Sequence, residues 1–319
     1  MKTALRLALS LVLAMMLVFG AWPARAARPF TTPDSLDAVP FSALGMPRDA
    51  FLQGPLSRVA LRFSLPPEWR LQAGASLRLE VNVLVSNFLV GQEARTLDNV
   101  YAGEVSVTLN GFPIGAAFMQ GGGQRSLDFD LSEAALAASS GGLHELVIQW
   151  DATAWCGQNV AASLSVRSDS SYLFLPHQTD TPSIDLANYP SPFFVFNNPR
   201  PAPVTLVVPD TASPPLLEGA LAVAASLGRI SGGRLDFSMV TASQLTRARY
   251  ADSHLVLLGS PSDFEPARGM RVPAPTNASD GVLHAFTSPW NGARAALLVT
   301  GAAWRTAARQ DQNGLFRRL

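Results

Sequence analysis

Apolar and polar residues alternate through the first half of the chain. The stretches Arg58–Leu65, Leu77–Val85 and Val105–Leu109 each place hydrophobic side chains at every second position. A period of two predicts half-buried β-strands. Asn110-Gly111 is a dipeptide typical of a two-residue hairpin turn. Further strands are predicted at Leu127–Leu131, Leu143–Trp150, Val160–Val166 and Tyr172–Leu175, with one helical turn at Glu133–Ala138.

Short strands separated by Gly, Pro and Ser, without long helices between them, favour an antiparallel β-sandwich over residues 58–175. We expect a jelly-roll-like sandwich, an architecture common among carbohydrate-binding domains, although a fold by itself does not define a function. Residues 27–57 show no sustained period and are predicted to be a lead-in.

The pattern changes at residues 176–203, which contain seven prolines. Repeated proline stiffens a chain and prevents helix, so this segment is predicted to be a linker. Phe193, Phe194 and Phe196 are too apolar for a solvated tether and should pack against one domain. The prolines are Pro176, Pro182, Pro190, Pro192, Pro199, Pro201 and Pro203.

Strands and helices then alternate to the end of the chain. A strand at Val204–Val208 precedes a helix that starts at Ser213-Pro214, with Ser213 as N-cap, and ends near Gly228. Leu217, Leu221, Ala224 and Leu227 lie along one predicted face of this helix. The other predicted elements are strands Leu235–Val240, Leu255–Leu258, Val282–Phe286 and Ala295–Thr300, a helix Ser243–Tyr250, and an Ala-rich helix from about Ala302. This order predicts a flavodoxin-like, doubly wound α/β domain over residues 204–319.

The first 26 residues are typical of a secretory signal. Lys2 and Arg6 precede the apolar run Leu7–Trp22, and Ala24-Arg25-Ala26 offers small residues for cleavage. We therefore expect export, with an uncleaved N-terminal anchor as the alternative. No later segment approaches the ~20 apolar residues of a membrane span.

Composition narrows the possible partners. Charged residues make up 15% of the chain and the formal net charge is +0, so no overall charge attracts nucleic acid or anionic lipid. Cys156 is the only cysteine, which excludes an internal disulfide. We expect it to be a small buried residue, with a reactive or intermolecular thiol as the alternative.

The turn after the first strand of the α/β domain, Pro209–Pro215, lacks the chemistry of a nucleotide site. It contains neither a G-x-G-x-x-G nor a Walker loop, and its three prolines remove backbone N–H donors that a phosphate needs. Asp210 would repel an anion there, whereas it suits the positive end of a helix. We predict that no nucleotide, flavin or other cofactor binds.

Motifs for catalysis and for metal binding are also missing from the sequence. Ser260 follows a strand but lacks a G-x-S-x-G elbow, and His144-Glu145 is not followed by the second histidine of a zinc motif. The histidines are scattered without ligand spacing. We therefore predict no catalytic residue and no metal. Paired carboxylates for sugar hydrolysis stay open as an alternative, because their spacing is spatial; the carboxylates of the β region are Asp128, Asp130, Asp151 and Asp169.

Aromatic side chains are the remaining candidates for a binding surface. Sugar rings present apolar faces that stack on aromatic rings, while amides and carboxylates bind the hydroxyl groups. Trp155, in an apparent loop with Gln158 and Asn159, is the first candidate for a glucan contact, although each aromatic residue could instead pack in the core. The other candidates are Trp150, Tyr101, Phe118 and Trp69.

An ordered series of segments resembles the family of periplasmic regulatory subunits of bacterial cellulose synthase. After the strand Arg58–Leu65 these segments are LRLEVNV, VSVTLNGFPIG, HELVIQWDATAWCGQNVAASLSVRSDSSYLFL, DLANYPSPFFVF, VTLVVPDTASPPLLEGALAVAASLGR and GVLHAFTSPWNGARAALLVTG. They cover nearly all of the chain after the signal. The series is more specific than any one of its motifs.

The resemblance implies alternating carbohydrate-binding sandwiches and flavodoxin-like domains, of which this chain holds the first pair. It implies a non-catalytic periplasmic protein that docks on the membrane glucosyltransferase, guides the exported β-1,4-glucan and is held at the inner membrane by a C-terminal anchor. This chain stops at Leu319, before the second pair and the anchor of the family. Some family members are described as binding cyclic-di-GMP, for which Pro209–Pro215 offers no phosphate loop.

Two other classes of function stay open. A secreted hydrolase or esterase could use the carboxylates of the β region. A generic envelope protein could bind another polysaccharide.

Overall fold

The structure is a computed structural model that describes residues 36–87, 100–153, 160–273, 277 and 280–301. The predicted signal, the predicted helix from Ala302 and the loop with Trp155 and Cys156 lie outside these residues. Leu36–Leu319 forms one compact unit. No helix among the described residues is long and apolar enough to span a membrane.

The first part of the described chain is built from antiparallel strands. In chain order they are β1 Ala38–Pro40, β2 Ala50–Gln53, β3 Leu56–Ser64, β4 Trp69–Leu71, β5 Ser76–Asn87, β6 Tyr101–Leu109, β7 Phe112–Gln120, β8 Gly123–Asp130, β9 Leu143–Asp151, β10 Val160–Val166, β11 Tyr172–Phe174 and β12 His177–Thr179, with a short helix α1 Glu133–Ala137 after β8.

These strands form two main sheets. The first sheet has the order β1-β11-β5-β10-β2, with β8 also paired to β5, and the second has the order β3-β9-β6-β7. β4 and β12 make a separate two-stranded sheet. The predicted antiparallel sandwich is confirmed.

One hydrophobic core lies between the two main sheets. Alternate residues of each strand point inward, as the period of two requires. Each fully buried large side chain contributes about 1.5–3 kcal/mol relative to exposure. The wholly buried members include Phe63, Leu77, Leu79, Leu109, Leu146, Ile148, Trp150 and Leu164.

The sandwich begins earlier than predicted. β1 pairs with β11 and β2 pairs with β10, so residues of the predicted lead-in belong to the first sheet. Strands of three and four residues are too short to show a period. β7 was also missed, because its Gly and Ala positions obscure the alternation. The hairpin at Asn110-Gly111 is confirmed: it joins β6 to β7 with φ of 53° and 81°, the positive values that a type I′ turn needs.

The segment predicted as a linker, residues 176–203, is packed along the compact unit. It contributes β12, and its Asp180 N–H donates to the Glu68 carbonyl at 2.8 Å. Phe193 and Phe194 are buried, whereas Phe196 is exposed and lies under the Arg234 guanidinium. The division into separate domains at residues 58–175 and 204–319 stays a prediction.

The second part of the described chain is an α/β sheet. Its strands are β13 Val204–Val208, β14 Phe237–Thr241, β15 His254–Leu258, β16 Gly281–Thr287 and β17 Ala295–Gly301, and its helices are α2 Pro214–Ser231 and α3 Arg247–Tyr250. The strand order is β14-β13-β15-β17-β16, parallel except for β16. Hydrophobic clusters lie on both faces of the sheet, and β13 and β15 are buried throughout, as expected for a parallel sheet covered on both sides. The β plus doubly wound α/β fold class is confirmed.

Helix α2 differs from the prediction in the face that it buries. Ser213 and Pro214 occupy the predicted N-cap and N1 positions, but the helix continues to Ser231 and ends at Gly232, which has the left-handed φ of 60°. Leu217 and Leu221 are exposed, contrary to the predicted apolar face. Two adjacent stripes of this helix are apolar, and periodicity alone does not say which one meets the sheet. The buried stripe is Leu216, Ala220, Val223 and Leu227.

Candidate functional site

The outward side of the second sheet is the candidate functional site. Directly paired residues of antiparallel strands point to the same side of a sheet, so the register defines rows of neighbours across it. Two adjacent rows cross the four strands from β7 to β3 on this outward side. The rows are Phe118, Glu104, Asp151 and Leu56, and Ala116, Ser106, Gln149 and Arg58.

Two aromatic rings lie at the edge of this surface. Phe118, on the edge strand β7, is 72% exposed. Tyr101, on the neighbouring β6, has its ring centroid 6.2 Å from that of Phe118, with the ring planes tilted by 49°. A register shift between Tyr101 and Gly103 lets Tyr101 lie beside Phe118. Together they form a pair of neighbouring aromatic rings on the outward side of the sheet.

Polar side chains of β6 and β9 share this outward side of the sheet. Among the described residues, nothing hydrogen-bonds or ion-pairs with the side chains of Glu104 and Gln149. The Asp151 carboxylate accepts hydrogen bonds from the Thr153 backbone N–H and hydroxyl. These hydrogen bonds hold the pKa of Asp151 below its usual value, so this side chain is ionised at neutral pH. We refer to Tyr101, Glu104, Phe118, Gln149 and Asp151 as the outer platform.

The buried side of the same strands supports the outer platform. Trp150 lies between Gln149 and Asp151 and points inward, where it is 0% exposed. Its Nε1–H donates to the Ala162 carbonyl of the first sheet at 3.4 Å. The prediction that Trp150 contacts glucan is therefore wrong. Gly103 packs on this ring: a Cβ at Gly103 would lie 2.6 Å from the indole and 2.5 Å from the Asp151 carbonyl.

Trp69 does not join the outer platform. Trp69 belongs to the two-stranded sheet and stacks on His177, with 3.7 Å between the ring centroids and 15° between the planes. The His177 Nδ1 is 3.0 Å from the Leu175 carbonyl, to which it can donate, and 2.9 Å from the Asp37 carboxylate. Trp155, Gln158 and Asn159 lie outside the described residues, so their predicted role stays a prediction. Of the predicted site residues, the structure brings together Tyr101 and Phe118.

Sequence reasoning missed Glu104 and Gln149 as members of the site. Both occupy the polar positions of strands whose other positions are buried, which is also the pattern of an ordinary solvated face. The register across β6, β7 and β9 places Glu104 directly opposite the exposed Phe118 ring and Gln149 in the adjacent row, two strands away. Pairwise register is not visible in a single sequence.

The structure separates Asp151 from two of the other carboxylates that were considered for hydrolysis. Asp151 is on the outward side of the second sheet, whereas Asp128 and Asp130 lie on β8 of the first sheet. Burial raises the pKa of Asp128, and the nearby Arg78 guanidinium, at 3.8 Å, opposes that effect. Asp169 is exposed in the turn between β10 and β11.

At the carboxyl edge of the α/β sheet, the loops contact one another. Asp210 accepts a hydrogen bond from the Ser243 N–H at 2.9 Å, and hydrogen bonds from the Ser243 hydroxyl and N–H keep the pKa of Asp210 below its usual value. The Ser260 N–H donates to the Asp263 carboxylate at 2.8 Å. A Cβ at Gly259 would lie 3.0 Å from Pro209, so the loops after β13 and β15 touch where an α/β sheet of this type opens its ligand crevice. The described residues contain no cluster of three or more metal-ligating side chains.

Comparisons with known proteins give only distant likenesses. No protein-family model matches the chain, and no curated protein matches it. Among solved structures, an acetyl xylan esterase from the rumen bacterium Butyrivibrio proteoclasticus is 8% identical with a TM-score of 0.25, over 69% of this chain and 63% of its own. A family two carbohydrate esterase from Clostridium thermocellum, in complex with cellohexaose, is 9% identical with a TM-score of 0.22, over 68% of this chain and 62% of its own.

A carbohydrate-binding module specific for non-crystalline cellulose is 9% identical with a TM-score of 0.23, over 41% of this chain and 73% of the module. The chain thus spans less than two thirds of the length of either esterase. At these TM-scores the likenesses carry no argument about function.

Proposed function

We propose that this protein is an exported, non-enzymatic accessory component of a bacterial β-glucan synthase, and that its sandwich holds the glucan on the outer platform. In this proposal the signal-like N-terminus directs the chain to the periplasm. There it acts beside the catalytic glucosyltransferase at the inner membrane. The ordered resemblance to the regulatory subunits of cellulose synthase supports the cellular role.

The observation that carries the proposal is the exposed Phe118 ring, which has Tyr101 beside it and, directly opposite, the Glu104 carboxylate, which has no partner among the described residues. Contact between a large aromatic ring and water is unfavourable, and a ligand that covers the ring relieves it. The apolar CH face of a glucose residue fits such a ring. Its equatorial hydroxyl groups reach outward, where a carboxylate accepts hydrogen bonds and an amide both donates and accepts them.

The chemistry of the two acidic groups fits a neutral sugar. Glu104 and Asp151 are directly opposite each other on β6 and β9, so their carboxylates are neighbours. Hydroxyl donors satisfy both groups without adding charge. In this proposal the outer platform binds and orients a glucan chain through these hydrogen bonds, without a chemical step.

The test is calorimetric titration of the protein with cellohexaose. Replacing Phe118 by Ala removes the exposed ring, and we expect the affinity to fall about tenfold, the value of one aromatic contact. The matched control is Phe51→Ala. Phe51 is 54% exposed on the outward side of the first sheet, so its loss should leave the affinity unchanged.

Other results would contradict the proposal in distinct ways. Unchanged affinity in Phe118→Ala would remove the outer platform from the binding site. Retention of another polymer without any binding of cello-oligosaccharides would favour the generic envelope protein. Release of reducing sugar or acetate that vanishes on mutating one carboxylate would favour the hydrolase or esterase.

A further inference from the structure

The described α/β sheet ends on an uncovered edge strand. β14 pairs with β13, and no other described strand pairs with its second edge. Proteins usually protect such an edge with charged residues, with Pro or with a covering element. Phe237–Thr241 has the sequence FSMVT, with no charge and no proline. Within the part of the chain that the structure describes, the edge therefore lacks the usual protection.

An apolar stripe of α2 lies along this edge. Leu217 follows the buried Leu216 by one residue, which rotates it by about 100° around the helix axis. In a right-handed β13–α2–β14 crossover, this rotation turns the Leu217 side chain toward β14. Ala224, on the same stripe, and Phe237 of β14 both pack against the same core cluster, as this geometry requires.

Met239 completes the surface from the side of the strand. Its register partner Leu206 packs in the cluster beneath α2, so Met239 points to the α2 side of the sheet. Met239 is 47% exposed, Leu217 39% and Leu221 60%. We refer to these three residues as the edge patch. All three residues are apolar, and Met239 lies on the unpaired strand edge.

We propose that the edge patch is a homodimer interface, in which β14 pairs antiparallel with β14 of a second copy across a two-fold axis. The two sheets then become one continuous sheet. The exposed leucines of the two α2 helices meet above it. The apolar stripe on α2, which packing among the described residues leaves uncovered, gains a partner in the dimer.

A second copy is the occupant that the surface itself favours. A two-fold axis presents the same patch on both sides, so each copy supplies the apolar surface that the other needs. The strand and the stripe carry no charge, so their approach brings no like charges together. Pairing centred on Met239 also places Asp236 of one copy opposite Ala242 of the other, and Arg234 opposite Gln244. No flanking charge faces a like charge.

Sedimentation equilibrium of the purified chain tests the proposal, with Met239→Lys as the main variant. We expect a reversible dimer whose dissociation constant rises at least about tenfold when a charge enters the edge strand. Leu221→Glu should act in the same direction. Phe51→Lys places a charge at an equally exposed apolar site on the sandwich and should leave the dimer intact. Circular dichroism checks that each variant is folded.

Hydrogen exchange adds a readout at the strand. The amides of Phe237–Thr241 should exchange more slowly as the protein concentration rises through the dissociation constant, and Met239→Lys should abolish that change. A chain that is monomeric throughout the accessible concentration range would overturn the proposal. A dimer that Met239→Lys and Leu221→Glu both leave unchanged would place the interface elsewhere and overturn it too.

Discussion

The two outward sides of the sandwich each carry a glutamate near the centre of a polar row, and these two carboxylates, Glu80 and Glu104, differ in how they are bonded. On the first sheet, Arg78 forms a salt bridge with Glu80 at 2.8 Å, and the Ser126 hydroxyl donates to the same Glu80 carboxylate at 2.7 Å. On the second sheet, the carboxylate of Glu104 has no partner among the described residues. Polar groups that are already satisfied must break bonds to bind a hydroxyl, whereas free ones need only lose water.

The aromatic residues follow the same division. Phe51 on the first sheet has Ser165 and Asn82 as neighbours in its row. Phe118 on the second sheet has Tyr101 beside it and Glu104 opposite. An exposed ring on its own is ordinary for a folded protein. A second ring, together with a Glu104 carboxylate that has no partner among the described residues, makes the second sheet the better binding surface.

The largest expected effect comes from the residue on which both sheets depend. Trp150 fills the space beneath the outer platform and donates to the first sheet through Ala162, so Trp150→Ala leaves a cavity between the two sheets. We expect the free energy of unfolding to fall by about 3–5 kcal/mol. Urea denaturation measures it. A loss below about 1 kcal/mol, on the order of an exposed substitution, would show that Trp150 is not a core residue.

Protonation of His254 in acid should cause the next largest loss in the free energy of unfolding. His254 is buried, its Nδ1 accepts from the Ala295 N–H at 2.9 Å, and burial lowers its pKa to about 4. Arg294 adds to this effect. The unfolded state takes up the proton near pH ~6.5, whereas the folded state takes it up only near pH ~4. The free energy of unfolding should therefore be highest above about pH 6.5 and fall by about 3 kcal/mol toward pH ~4.

Urea denaturation at several pH values measures this loss, with His254→Gln as the comparison. The variant loses the titrating group, so its stability should change less over the same range. An equal slope in both proteins would assign the acid sensitivity to other groups. The comparison with His254→Gln also distinguishes the loss of stability caused by His254 from any loss caused by protonation of carboxylates on the sandwich.

Much of the fold could be predicted from the sequence, because alternation reports burial directly. Val204–Val208 and Val160–Val166 were predicted with the bounds that the structure has, and the turn at Asn110-Gly111 followed from its backbone requirements. β1 and β2 are too short for a period to show. In α2 the apolar stripe was misplaced, since Leu216 and Leu217 are equally good candidates until the sheet is known.

The candidate site was predictable only in part, because it depends on which strands are neighbours. Tyr101 and Phe118 were found by residue type, and the structure places them in contact. Trp150 has the same residue type as a sugar contact, but its position between Gln149 and Asp151 turns it into the core. Glu104 became a candidate once β6 was placed between β7 and β9.

The smallest expected effect separates the two outward sides most directly. Glu80→Gln should cost about 1 kcal/mol of stability, because it weakens the bonds to Arg78 and Ser126, while leaving the affinity for cellohexaose unchanged. Glu104→Gln should do the opposite: no loss of stability, because it removes a like charge opposite Asp151, and a severalfold loss of affinity, since an amide oxygen accepts a hydrogen bond from a hydroxyl less strongly than a carboxylate does. Denaturation and calorimetry on the same two variants measure both quantities. If Glu80→Gln weakened binding as much as Glu104→Gln, satisfied polar groups would bind as well as free ones, and the distinction between the two sheets would fail.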